Sequence, residues 1–306
     1  EKARALEIMR PQLERMVTLS DTVDPPQGDA RFATRMQVGA ILQENKDPKA
    51  KDYLSEAYPL ATSGDMAEAA SELAIMAGAK PSDLIRGLYD QYDKYEAARA
   101  ENPEKTNPIS AEALQVETRR MINKQVESYN GLIDEKPASP AEVNARVLQD
   151  FAPQIEKLDG ILDKEVEAAT QRHADWEKSL EDKFPQDEAA KAAAKELHAK
   201  LFGGDNRREN FEQIVFLMTG GDPARVNQDL LKDFVEWKKH ISPNGDDGPV
   251  KDLLTIEADR EKENFLLEKA IGNRFDFDRF KAGKLALAGD NEKAKEVFEA
   301  AVEEVP

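Results

Sequence analysis

The chain has 306 residues, with 43 Lys and Arg against 61 Asp and Glu, a net charge of −18 and no cysteine. That balance argues against direct contact with nucleic acid or an anionic membrane, because both demand a basic surface. The missing thiols exclude disulfides, Cys-ligated metal and thiol catalysis, and no apolar run reaches the roughly 18 residues that a membrane span needs.

Almost every segment reads as helix. Ala, Glu, Lys, Leu, Gln and Arg dominate, Pro and Gly fall mainly between periodic stretches, and no alternating run of the strand type is present. A 40% apolar fraction beside 34% charge points to thin, two-layer helical packing with much exposed surface. The first helix spans about 2–20, with Leu6, Met9, Leu13, Met16 and Val17 on one stripe and Pro11 as a kink. Asp24 to Gly28 forms a turn, and Asp29 caps a helix bearing Phe32, Met36, Ile41 and Leu42. Asp47-Pro48 opens the next, with Tyr53, Leu54, Tyr58 and Leu60. Gly64-Asp65 starts a helix that ends near Gly78, and Lys80-Pro81-Ser82 leads into one that carries Leu84, Ile85, Leu88, Tyr89, Tyr92 and Tyr95.

Residues 101–109, with Pro103 and Pro108, read as a linker between a 1–100 domain and a long helical hairpin at 110–184. Ser110 caps its first arm. Pro137 and Pro140 frame the turn, and the second arm runs to about Phe184 with a bend at Pro153. A C-terminal domain, 185–306, returns to shorter helices. Asp187 to Phe202 ends at Gly203-Gly204, and an apolar helix, Arg208 to Thr219, ends at Gly220-Gly221. Then come a helix with Trp237, a loop at 242–249, a helix from Val250 to Ile271 and two closing helices. The expected fold is all-α: stacked antiparallel hairpins, solenoid-like but not in tandem, with the long coiled-coil-like hairpin in the middle.

The stretch from Lys284 to Pro306 resembles the second half of a tetratricopeptide repeat. Gly289 takes the inter-helix turn, Ala294 the closest approach, Phe298 and Ala301 the neighbour-facing positions, and Pro306 the end. Residues 53–81 are similar, through Tyr53, Ala57, Leu60, Gly64-Asp65, Ala69, Leu73, Met76 and Pro81, and both copies run seventeen residues from Gly to Pro. Asp278 and Lys281 depart from the pattern, standing where large apolar residues are usual, and Gly221-Asp222 begins a poorer third match. The resemblance implies helix-pair packing and, more distantly, a peptide-binding groove.

No catalytic, cofactor or metal motif emerges. His173, His198 and His240 lie in charged helical stretches and read as solvated surface side chains. The glycine pairs lack a Lys-Ser/Thr ending, and the loop around Asp246-Asp247 fails the calcium-loop frame, which would put Pro243 first and Leu254 last. Arg207 and Arg208 at a helix start could hold an anion but read as solvated. Tyr89, Tyr92 and Tyr95 form a stripe that is either a binding patch or a seal over the core, and with Trp176 and Trp237 they are the candidate partner-binding residues. The run Phe211–Met218 reads as buried.

The expected role is a non-enzymatic interaction or scaffold component of a larger assembly, whose protein partners carry a basic or mixed-charge surface. Two alternatives stand beside it: a helical accessory region of an enzyme or of a secreted or virion machine, and a carboxylate-metal enzyme. Soluble cytoplasmic and processed periplasmic or secreted locations are all compatible with this composition, and Glu1 and Pro306 read as processing boundaries.

Overall fold

The computed structural model describes residues 2–22 and 28–303. Asp24 to Gln27 of the expected turn, the side chain of Leu6 and the closing Pro306 lie outside the described residues, while Gly28, expected to end that turn, opens α2. The fold is all-α. Among the described residues, thirteen α-helices run α1 Lys2–Thr22, α2 Gly28–Glu44, α3 Ala50–Ala57, α4 Gly64–Met76, α5 Pro81–Glu101, α6 Ala111–Tyr129, α7 Pro140–Asp150, α8 Ala152–Glu181, α9 Glu188–Phe202, α10 Arg207–Met218, α11 Gln228–Ile241, α12 Gly248–Leu287 and α13 Asn291–Glu303.

Short polar residues set five of the starts. Ser63, Ser110, Asp187 and Asn227 each accept a backbone N–H from the first turn of α4, α6, α9 and α11, satisfying donors that have no intrahelical partner. Ser139 and Glu142 close a reciprocal capping box on α7. Proline acts by context. In α1 the helix continues through Pro11. At Pro59 the chain tightens into one 3-10 turn, Tyr58–Leu60. The expected bend at Pro153 is a full break: α7 stops at Asp150, and the amides of Gln154 and Ile155 bond the Phe151 carbonyl at 3.0 and 2.9 Å.

Two expectations are corrected. Between α6 and the turn framed by Pro137 and Pro140 lies a minimal antiparallel pair, β1 Leu132–Ile133 and β2 Lys136–Pro137. Asp134 and Glu135 both take positive φ (49° and 65°), the geometry that matches a two-residue turn to strand twist. The helix expected to end at Ile271 instead continues to Leu287. Gly272 inside it costs only about 1 kcal/mol in helix propensity, and no proline or cap interrupts the ladder.

The chain groups into two compact units: residues 1–164 with 272–306, and residues 165–271. Their limits fall inside α8 and α12 rather than at the boundaries read from composition. The 101–109 segment is a loop within the first unit, because α5 and α6 on either side of it pack together around Tyr89, Leu114, Met121 and Ile122. The first unit holds that core, which extends to Val143, Phe151, Leu158 and Phe277, and a smaller one of Leu13, Val17, Val38, Leu42 and Ala50. The second holds Phe184, Leu201, Phe202, Ile214, Phe234, Trp237 and Leu253.

Close packing of α2 on α3 depends on a glycine. A Cβ at Gly39 would come within 2.5 Å of Leu54 Cγ, and Leu54 is fully buried. Gly39→Ala gains about 1 kcal/mol of helix propensity, but overpacking costs about 1–3 kcal/mol. The expected result is a net loss of stability in urea unfolding; a more stable variant would refute the tight contact.

Candidate interaction surfaces

The first unit carries a cleft of about 380 Å³ where the 3-10 turn, the starts of α4 and α6, and α5 meet. Ala61, Ala67, Leu88, Ile109, Ala113 and Val116 give it an apolar lining. Val116 is 51% exposed although it is aliphatic. Glu112 and Glu117 stand at the same cleft, and no Lys, Arg or His is among its described lining residues. Helical spacing explains the mixture: positions 112, 113, 116 and 117 share one face of α6.

Glu117 is held firmly. It accepts the Tyr58 hydroxyl at 2.6 Å and the Arg120 guanidinium at 2.7 and 3.2 Å, while Arg120 also donates to Ser71 Oγ at 2.9 Å. Burial, reinforced by the Glu117 charge, pushes the Tyr58 hydroxyl well above the ordinary tyrosine range.

The tyrosine stripe divides. Three residues cover about 300° of helix, so successive rings step about 60° off the buried line. Tyr89 is 2% exposed, its hydroxyl 2.9 Å from Thr118 Oγ1, and burial raises its pKa too. Tyr89 is therefore a core residue, which corrects its place among the partner-binding candidates. Tyr92 and Tyr95 are half-buried, and the Tyr92 carbonyl accepts from Asn107. A spectrophotometric titration of the six tyrosines tests this. Tyr58 and Tyr89 are expected to stay protonated above pH ~10 until the chain unfolds. Because their folded pKa values are raised, stability is full below the unfolded value and falls as pH rises past it. Six phenolates appearing together in the folded chain would contradict the burial.

In the second unit, Trp237 is also corrected: it is fully buried among Phe202, Phe234 and His198. Trp176 is half-buried and fastened, donating to the Ile256 carbonyl at 2.8 Å with the Arg260 guanidinium 5.2 Å over its ring. It borders a shallow, open cleft with Leu180 and Glu177. The helix carrying Phe211–Met218 is less buried than expected. Ile214 alone of that run is fully enclosed, and Phe216 is 36% exposed.

Sequence reasoning missed a buried ionic cluster. His198, read as solvated, is 6% exposed and lies 3.0 Å from Glu257, which is equally buried. Arg260 pairs with the other Glu257 oxygen at 3.3 Å and donates to the Phe202 carbonyl at 2.7 Å. The signal was available: Ala194, His198 and Leu201 form a helical stripe, as do Val250, Leu253, Leu254 and Glu257. His173 and His240 are half-buried, His173 bonding Asn264 at 3.0 Å.

At the positions singled out by the repeat resemblance, Gly289 turns the chain with φ +88°, and Ala294 and Ala301 are buried. Phe298 is 45% exposed. In α4 the buried line falls on Ala70 and Ala74, one residue past the expected Ala69 and Leu73, and Met76 faces solvent. Asp278 is buried in a charged cluster with Arg274, Lys281 and Asp159.

Among the described residues no group of three His, Asp or Glu has metal-binding geometry, and no helix is long and apolar enough to cross a membrane. No family model, no curated protein and no solved structure matches this chain.

Proposed function

We propose that this chain is a non-enzymatic, helical interaction component of a larger assembly, and that the cleft of the first unit is where a protein partner docks. The single observation behind this reading is the cleft itself: aliphatic side chains and small alanines open to solvent, bordered by carboxylates, on a framework of capped helices. Solvent-exposed Val116 in an apolar recess is surface that burial by a partner would stabilise, by about 25 cal/mol per Å² removed from water. Helix pairs resembling tetratricopeptide hairpins are compatible with such a role.

The test is chemical cross-linking and capture from the native source with the wild-type chain and with Val116→Asn. Val116 is exposed, so that substitution leaves the core untouched. A stoichiometric protein held by the wild type at low salt, and lost with Val116→Asn, is the expected result. Equal capture by both chains, or recovery of the chain alone, would reject the cleft as the docking point.

A further inference from the structure

We propose that Arg119 of α6 and Lys284 of α12, which share the ring of Phe280, form a second docking point, and that it takes an acidic segment of a protein partner with an aliphatic side chain beside its carboxylates. None of these three residues lines the cleft, so this inference stands apart from the docking reading above.

The ring is held in place by packing. Phe280 is half-buried against the main core of the first unit. The Arg119 guanidinium carbon lies 5.3 Å from its centroid and the Lys284 ammonium 5.6 Å from it. Both cations are themselves half-buried. Their neighbours along the helices are answered by acids: Arg120 by Glu117, Arg279 by Asp276, and Lys281 by Asp159 and Asp278. Arg119 and Lys284 have no carboxylate partner among the described residues. Burial alone lowers the Lys284 pKa, with no anion to oppose it. A partly desolvated charge without a counter-charge is costly, and a carboxylate brought from outside relieves that cost. The uncompensated charge at this point is therefore positive, within a chain of net charge −18. That total repels a long polyanion such as nucleic acid, whereas a short segment with one or two carboxylates meets the local pair. Leu287 supplies an apolar contact: it is 58% exposed and lies one turn beyond Lys284 on the same face of α12. A free anion leaves Leu287 in water, but a peptide seats an aliphatic side chain on it.

The probes are a synthetic Leu/Glu peptide, its Leu/Gln twin and inorganic phosphate. Each is titrated into the full chain, labelled at Lys, Arg and methyl groups, and followed by NMR. The expected result is saturable shifts of the Lys284 ε-methylene, the Arg119 Nε–H and the Leu287 methyls with the Leu/Glu peptide, and a rise in the Lys284 pKa on binding. The Leu/Gln twin should bind about tenfold more weakly. Arg119→Gln and Lys284→Gln should each weaken the Leu/Glu peptide several-fold, and Arg119→Lys, which keeps the charge, should lose less. The peptide comparison uses the wild type, so it decides the matter even where a variant fails to fold. Equal binding of both peptides would reject selection by charge. Phosphate binding as tightly as the Leu/Glu peptide would make this a free-anion site and overturn the peptide assignment. Shifts scattered elsewhere, or none, would overturn the site itself. Concentration-dependent shifts of the same groups without any probe would replace the partner by an acidic segment of a second copy. The Val116 methyls take no part in this readout, so failure here and failure of the cleft are separate results.

Discussion

Trp237→Ala is expected to cost the second unit about 3–5 kcal/mol, the range for emptying a buried aromatic site. Trp237 is fully buried, with ring centroids 5.5 Å from Phe202, 6.0 Å from His198 and 6.2 Å from Phe234. These neighbours come from α9 and α11, so the indole is the volume that joins the two helices. The cavity would also sit beside His198 and Glu257, whose pairing depends on exclusion of water. Trp237→Phe should cost much less. The indole Nε1 is buried and has no hydrogen-bond partner among the described residues, so its removal relieves a desolvated donor while most of the ring volume stays. The measurement is urea unfolding followed by circular dichroism and by fluorescence. The chain has two tryptophans, so Trp176 reports alone in these variants. A loss under about 1 kcal/mol for Trp237→Ala would mean the indole is not a core residue.

Arg274→Met is expected to cost the first unit about 3 kcal/mol, the scale of breaking a buried ion pair by removing one partner. Arg274 lies 2.6 Å from Asp159, 3.1 Å from Asp163 and 3.2 Å from Asp278, and Lys281 bridges Asp159 and Asp278 at 2.9 and 3.0 Å. Burial works against the guanidinium charge, yet the three carboxylates outweigh it and hold its pKa above the ordinary value. Methionine keeps the length of the side chain but leaves three acids around one lysine. Adding Asp278→Leu should recover part of the loss, because Asp278 is 4% exposed and its charge is then no longer stranded. The double variant would therefore be more stable than the sum of the singles. Strict additivity in denaturant titrations would show that the cluster is not coupled.

The fold was legible because its signals are local. Apolar residues at three- and four-residue spacing, Ser and Asp at helix starts, and Gly78 and Gly289 at helix ends act within one or two turns, and the helices follow them. The cleft was not legible, because its lining comes from four segments between residues 58 and 117, and no one segment carries a motif. Polar residues on an apolar stripe were the systematic weakness. His198 and Asp278 were read by residue type as solvated or out of pattern, but each is buried beside a charged partner, Glu257 from another element and Arg274 from the preceding turn.

By itself, then, the sequence determined the helical class and the acidic, thiol-free character of this chain, while of the caps read from it Ser110 stands, Asp29 falls inside α2, and α3 starts at Ala50 without a side-chain cap from Asp47. Tertiary structure alone decided which charges are buried, which tyrosines and tryptophans face inward, and where an apolar surface stays open. The physical reason is distance along the chain. A cap or a stripe is complete within a few residues, whereas burial of Trp237 or pairing of Asp159 with Arg274 requires groups far apart in sequence to meet.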